Sequence, residues 1–202
     1  MSATDPAILR RPLRAPGTRP HGRRTAMRGK RVFLVRPTAE DAGPVLALTL
    51  SNRDFYRPWV VPPYSSRGFQ QYLQRIAEGR DSGFLVLDLE TRQLQGVVNL
   101  NEITRRGMDT ASLGYYGRSD SAGRGYLREA VACVLDHAFG ELALHRVEAN
   151  IQPGNARSIA LVAALGFRCE GLSLRYMRID GDWRDHERWA VLAEEWRAVR
   201  KA

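Results

Sequence analysis

Cysteine is scarce in this sequence. Cys133 and Cys169 are the only two among 202 residues, one pair at most, which excludes the disulfide framework of small secreted domains. Both are expected to be reduced structural thiols. Long apolar runs are missing too. No stretch approaches the roughly 18 residues that mark a membrane span, and no apolar segment near the N-terminus reads as a signal peptide. A cytoplasmic chain with no membrane partner is therefore expected. The four histidines do not cluster at ligand spacing, so no metal is expected. What remains is ordinary for a globular protein: 44% hydrophobic and 26% charged residues, in a length suited to one domain.

The net charge of +9 is unevenly placed. Residues 1–31 carry nine basic side chains, from Arg10 to Arg31, against Asp5 alone, so this stretch accounts for +8 and the remainder for +1. Residues 2–25 contain Pro6, Pro12, Pro16 and Pro20 and few large apolar side chains. Such a segment buries too little surface to offset its ordering entropy. Residues 1–27 are therefore expected to be a disordered basic tail, and residues 28–202 the folded domain. The tail has two readings: an arm making weak, salt-sensitive phosphate contacts with RNA, or a stretch without a role, with translation starting at Met27.

Apolar spacing and punctuation give the order of elements. Residues 31–36 read as a strand ended by Pro37. Thr38 opens a helix as its N-cap, with Glu40 and Asp41 in the first turn. A second helix runs from Ser65 or Ser66 to about Gly79. Residues 83–89 and 94–100 form a hairpin, and 111–117 a further strand. Residues 125–139 have the spacing of a buried helix, followed by a strand at 145–151, a helix at 155–165 and a strand at 167–172. Strands at 174–179 and 187–192 close the chain. These elements make an α/β domain without repeats.

Between a strand and the buried helix lies Asp120-Ser-Ala-Gly123-Arg124-Gly125-Tyr126-Leu-Arg128-Glu129. The glycines allow a tight turn whose backbone N–H groups approach a ligand. The helix behind adds its unpaired N–H groups and the positive end of its dipole, a setting for phosphate. No Gly-Lys-Ser/Thr follows, which excludes a nucleotide P-loop, and the third glycine of a dinucleotide fingerprint is missing. Alone, a Gly-x-Gly turn equally serves close packing of a helix on a strand.

Downstream stands Ala149-Asn150-Ile-Gln-Pro-Gly-Asn155-Ala-Arg-Ser158, then Leu165-Gly166-Phe167. With the loop before it, this resembles the GCN5-related N-acetyltransferase (GNAT) superfamily. That family's pyrophosphate loop has the form Gln/Arg-x-x-Gly-x-Gly/Ala, in which Gly123 and Gly125 match and Asp120 departs. Within the superfamily the sequence is most similar to ribosomal-protein-alanine N-acetyltransferases of the RimJ type. The likeness is carried by Asn52-Arg-Asp-Phe55, Pro58-Trp59, His145-Arg146, Ala149-Asn150 and Ile179-Asp180-Gly181-Asp-Trp183-Arg184-Asp185-His186.

The resemblance implies a single GNAT-type domain: a mixed, mostly antiparallel sheet with splayed central strands, flanked by helices. It implies acetyl-CoA as donor, with backbone at Tyr115, Tyr116 and Gly117 pairing with pantetheine amides. Gly123, Arg124, Gly125 and Tyr126 would hold the pyrophosphate, with Arg124 or Arg128 adding charge. Asn155 would act as helix N-cap and reach the cofactor. An amine would attack the thioester directly in a ternary complex. Glu148 is the expected general base, or else a surface carboxylate paired with Arg146 or Arg168; Glu102 is a substitute. The place where relatives carry a tyrosine acid holds Val162, so Ser158 is expected to stabilise the leaving thiolate. Asn52, Phe55, Trp59, Tyr176 and Asp185 are expected on the acceptor side, with His186 shaping it. The implied acceptor is a protein N-terminus, including that of a small-subunit ribosomal protein. The alternatives are an antibiotic or polyamine amine, and a non-catalytic ribosome- or RNA-binding protein that kept the fold.

Overall fold

The computed structural model describes residues 26–201. Residues 1–25, and with them nearly all of the expected basic tail and its RNA contact, lie outside the described residues. The sheet has the order β1-β2-β3-β4-β5-β6-β8-β7. Its strands are β1 (Ala26–Arg28), β2 (Val32–Val35), β3 (Ser82–Asp88), β4 (Leu94–Thr104), β5 (Thr110–Gly117), β6 (Arg146–Ile151), β7 (Arg168–Ile179) and β8 (Asp182–Leu192). The pairings are antiparallel except β5 with β6. This is the expected mixed, mostly antiparallel α/β domain. Ala26 and Met27, at the end of the expected tail, belong to β1, with Met27 opposite Leu34.

Helices cover both faces. On one lie α1 (Ala42–Ser51), the short α2 (Arg53–Tyr56) and α3 (Ser66–Ala77). There Val45, Leu48 and Phe69 pack on Val35, Leu85, Val97 and Tyr116. On the other lie α4 (Tyr126–Phe139), α5 (Ala156–Ala163) and α6 (Ala193–Val199). There Val131, Val134, Val162 and Trp196 pack on Phe84, Leu100, Val147 and Ala149. Strand alternation assigns each residue to one of these two cores. Strand β3, covered on both faces, is buried along its whole length.

The caps are those the sequence suggests, with one change. Ser65 Oγ accepts the Gly68 N–H at 3.2 Å at the start of α3. Thr38 precedes a single 3-10 turn, Ala39–Asp41, rather than α1 itself. There the Asp41 carboxylate accepts the Thr38 N–H at 2.7 Å. Two further expectations are corrected. The strands expected at 167–172 and 174–179 are one strand, β7, with an irregularity between Ser173 and Met177. There Arg175 takes a φ of 47° and its N–H is held by Asp185 Oδ1 at 2.7 Å. The bulge absorbs what reads as a break. The chain also closes on a helix rather than a strand. Within α6, Trp196 is buried and its Nε1 donates to Asp136 Oδ1 of α4 at 2.9 Å; seven residues are too few for a readable period.

Candidate active site

Strands β5 and β6 are paired only where Thr110–Ser112 lie beside Arg146–Glu148. Beyond that point β5 continues to Gly117 bonded to β4, while β6 continues to Ile151 bonded to β8. The facing edges part, so the backbone of β5 from Leu113 onward has no strand partner on that side. Backbone groups must be satisfied somewhere, and an extended amide-bearing ligand would complete this edge. The Tyr115 hydroxyl spans the opening and donates to the Ser158 carbonyl at 3.3 Å. Its burial pushes its pKa up to about 12. Tyr116 points the other way, into the α1–α3 core, edge-on to Tyr56 at 5.6 Å.

At the wide end of the opening stands the N-terminus of α4. Gly125 is its N-cap, left-handed at φ 84°, with no side chain capping the first N–H groups. Gly123 is also left-handed at φ 79°, and a Cβ built on it would meet nothing within 4 Å. The turn therefore has free space above Gly123 and the Arg31 guanidinium close above Gly125, 2.9 Å from where a Cβ would stand, at the positive end of a helix dipole. Arginines surround it. Arg31 Nη1 donates to the Arg124 carbonyl at 2.9 Å, and Arg31 and Arg124 both lie over the Tyr126 ring, at 5.4 and 5.6 Å. The Tyr126 hydroxyl donates to Asp88 Oδ2 at 2.6 Å. Glu129 anchors α4 to the start of β2 by accepting the Arg31 N–H at 2.7 Å and the Val32 N–H at 3.3 Å.

Asp120 stands in this loop, where the resembling family carries Gln or Arg. The Arg118 guanidinium grips its carboxylate through Nε, at 2.8 Å, and Nη2, and holds its pKa below the usual range. A negative charge that would repel phosphate is thereby countered.

A polar floor lies on the α1–α3 face of β4, β5, β6 and β8. Tyr72 of α3 donates to Asn99 Oδ1 at 2.8 Å. Asn101 is paired with Ser112, and Asn150 Nδ2 reaches Ser112 Oγ at 3.4 Å. Beside them Glu148 accepts from Arg146 Nε at 2.8 Å and Arg188 Nη2 at 2.7 Å. Burial alone would raise the Glu148 pKa; the two guanidinium groups outweigh it and set it below the ordinary carboxylate value. Arg188 also lies over the Tyr176 ring at 4.6 Å. Tyr176 faces His186 edge-on at 6.0 Å, and burial lowers the His186 pKa.

Other expected residues occupy the roof and the rims. Asn52 is buried. Its Nδ2 donates to the Leu48 carbonyl at 2.8 Å, and its Oδ1 accepts the Ser119 N–H at 2.8 Å. It therefore pins the end of α1 to the start of the phosphate loop. Phe55 packs under Arg157, 5.4 Å from its ring centre. The Trp59 ring lies 3.3 Å from where a Cβ on Gly154 would stand, and Gln152 Nε2 donates to the Pro58 carbonyl at 2.7 Å. The α2–α3 connection is thus tied down over the end of β6. Asn155 caps α5 by accepting the Ser158 N–H at 3.2 Å. Asp185 staples the β7 bulge as described above. Glu102 is exposed at φ 52°. Cys133 is partly buried, which raises its thiol pKa, and Cys169 is exposed on β7. Among the described residues no group of three or more His, Cys, Asp or Glu is placed to hold a metal, and no helix is long and apolar enough to cross a membrane.

The model of the Acetyltransferase (GNAT) domain matches residues 31–168. The chain belongs to the GNAT acetyltransferase family. It is 32% identical over 174 residues to a probable N-acetyltransferase, YjcK, of Bacillus subtilis, covering 82% of this chain and 96% of that protein. It is 33% identical over 153 residues to the [ribosomal protein uS5]-alanine N-acetyltransferase of Escherichia coli, covering 72% and 79%. Mycobacterium smegmatis RimJ in complex with CoA-disulfide superposes with a TM-score of 0.74 at 30% identity, covering 81% and 83%. A spermidine N(1)-acetyltransferase of Vibrio cholerae is 26% identical, covering 72% and 84%. The chain is thus a GNAT-family N-acetyltransferase, and its splayed β5 and β6 are the strands of that fold. Arg31, Arg118, Asn150 and Arg188 escaped the sequence reading as site residues. Alternation along β6 places Asn150 on the Glu148 face and could have found it, and Arg118 stands only two residues from its partner Asp120; Arg31 and Arg188 depend on partners distant in sequence.

Proposed function

We propose that this acetyltransferase moves an acetyl group from acetyl-CoA to the α-amine of a polypeptide N-terminus, ribosomal proteins among its acceptors. The observation that carries this reading is the state of Glu148. Its carboxylate is already matched by Arg146 and Arg188, so the floor offers no free acidic charge to gather a polycation. Its lowered pKa makes it a weak base. An α-amine, with a pKa of about 7.7–8.0, is appreciably neutral near pH 7 and asks for little more, whereas a lysine or alkylamine near 10.4 asks for much more. The likeness to ribosomal-protein-alanine acetyltransferases points the same way.

In this reading the β5 edge at Tyr115, Tyr116 and Gly117 pairs with the pantetheine amides. Backbone N–H groups from Gly123 to Tyr126 take the pyrophosphate, and Arg124 adds charge. Asn155, its oxygen used as a cap, turns its amide NH2 toward the cofactor. Acetyl-CoA supplies the thioester carbon that the amine attacks. Glu148 takes the proton the amine sheds, and the Ser158 hydroxyl hydrogen-bonds the departing sulfur. Phe55, Trp59, Tyr176 and the chain held by Asn52 and Asp185 line the acceptor's approach.

The test compares three acceptors with acetyl-CoA: a peptide with a free N-terminal alanine, the same peptide N-blocked but carrying an internal lysine, and spermidine. Turnover of the first well above the other two is the expected result. Preference for spermidine would replace this acceptor with a polyamine, and preference for the blocked peptide with a lysine side chain.

A further inference from the structure

The geometry points to Asn150 as the residue that positions the attacking amine; this rests on the acyl transfer proposed above. Its Oδ1 is buried and accepts no hydrogen bond, and its Nδ2 is turned to Ser112 Oγ at a long 3.4 Å. A buried carbonyl oxygen left without a donor is costly, and native structures rarely leave one unmet without a functional reason. This one lies where a donor is due to arrive. The last paired residues of β5 and β6 are Ser112 and Glu148, so Asn150 is the next residue on the Glu148 face, at the point where the strands part.

Three features make the missing donor the acceptor's amine rather than a cofactor amide. The cofactor's amides are served by the unpaired β5 edge, while Asn150 belongs to β6. Its side chain shares the polar floor with Glu148 and Arg188, on the α1–α3 face, away from the α4 N-terminus. Arg188 stands directly across from it in the β6–β8 pairing, and the Arg188 Nε is likewise buried without a partner. Arg188 is itself ion-paired with Glu148, so the floor carries no unmatched charge, and the N–H of a neutral amine is a donor that this oxygen can take. Asn150 then holds the amine in the deprotonated form that attacks. Holding one N–H aims the nitrogen lone pair at the thioester. The N–C bond forms, the C–S bond breaks with its electron pair leaving on sulfur, and the nitrogen gives up one proton as the sulfur gains one. Asn150 carries no proton in this step.

Two variants test the assignment, with whichever amine the wild type acetylates as acceptor, so that a wrong acceptor class and a wrong residue are told apart. Asn150→Ala is expected to leave the acetyl-CoA dissociation constant within about twofold by calorimetry. It should weaken acceptor binding to the CoA-loaded protein and lower kcat/KM for acceptor by about tenfold to a hundredfold, the scale of one lost hydrogen bond. Asn150→Asp keeps an acceptor oxygen; it should recover most of the loss at pH 8 and lose it again as the new carboxylate is protonated, a second acid limb added below the one that the acceptor amine gives the wild type. A tenfold weaker grip on acetyl-CoA in Asn150→Ala would assign the oxygen to the cofactor and overturn the proposal. So would unchanged kcat/KM, or a loss that Asp does not rescue and that tracks a lowered melting temperature.

Discussion

Arg118 and Asp120 face each other two residues apart, guanidinium to carboxylate, at the entrance of the phosphate loop. The pair explains how an acidic residue survives where an anion is to bind, because the repulsion is cancelled locally. Removing only the arginine uncovers it. Arg118→Ala should weaken acetyl-CoA binding by roughly tenfold, Asp120→Asn should leave it unchanged or tighten it, and the double variant should regain most of the loss. Calorimetric titration of the four proteins forms a double-mutant cycle; additive effects would show that the two side chains do not act on the ligand as a pair.

Gly123→Val separates binding from stability. The space above Gly123 is open, so the free protein should lose only the cost of a left-handed side chain, about 1–2 kcal/mol. Acetyl-CoA binding should fall much further, because the new side chain occupies the place where phosphate must approach backbone. An unchanged dissociation constant would remove the loop from the cofactor site.

Glu148→Gln should lower turnover while leaving acetyl-CoA affinity intact. The Glu148 carboxyl sits below its ordinary value because Arg146 and Arg188 outweigh its burial, so it is ionised throughout the neutral range. The rise of kcat/KM with pH should then follow the acceptor's α-amine, near 7.7–8.0, in both wild type and variant. A neutral-range limb that vanishes in Glu148→Gln would show instead that the carboxyl titrates there.

Stability should fall as the solution is made acidic. His137 is buried, beside Arg36 Nη2 at 3.4 Å, edge-on to Phe84 and 3.1 Å from Glu141. Burial lowers its pKa, and the Arg36 charge lowers it further against the pull of Glu141. His186, held by the Arg184 carbonyl and near Asp185, is lowered by burial as well. A histidine depressed in the folded state leaves more protons on the unfolded chain. The stability it contributes is therefore fully present above the unfolded value of about 6.5 and is lost as pH falls from there through the lower folded-state pKa. Melting temperatures between pH 8 and 5 should show this decline, and His137→Phe should flatten it.

Trp196 fastens the closing helix to α4 by burial and by its bond to Asp136. Trp196→Ala should cost about 3–5 kcal/mol, read by denaturant unfolding. A loss under 1 kcal/mol would mean that α6 contributes little to the fold.

The sequence was enough for the order of elements as far as β6 and α5, for the phosphate turn and for the family resemblance, because these rest on local information. Apolar period, caps and glycines fix each segment by contacts within a few residues. Thus Ser65, Gly125 and Asn155 each stand at the helix start read for them. Segments whose form depends on distant partners were misread. The bulge at Arg175 needs Asp185 across the hairpin, and α6 needs Asp136, 60 residues away.

The site divides along the same line. That Gly123 and Gly125 form a backbone cradle was legible from their own residue types. That Glu148 is clamped by Arg188 and that Asn150 carries an orphaned oxygen where β5 leaves β6 could be decided only by the tertiary structure. Charge and hydrogen-bond balance belong to pairs, and strand register chooses the partner.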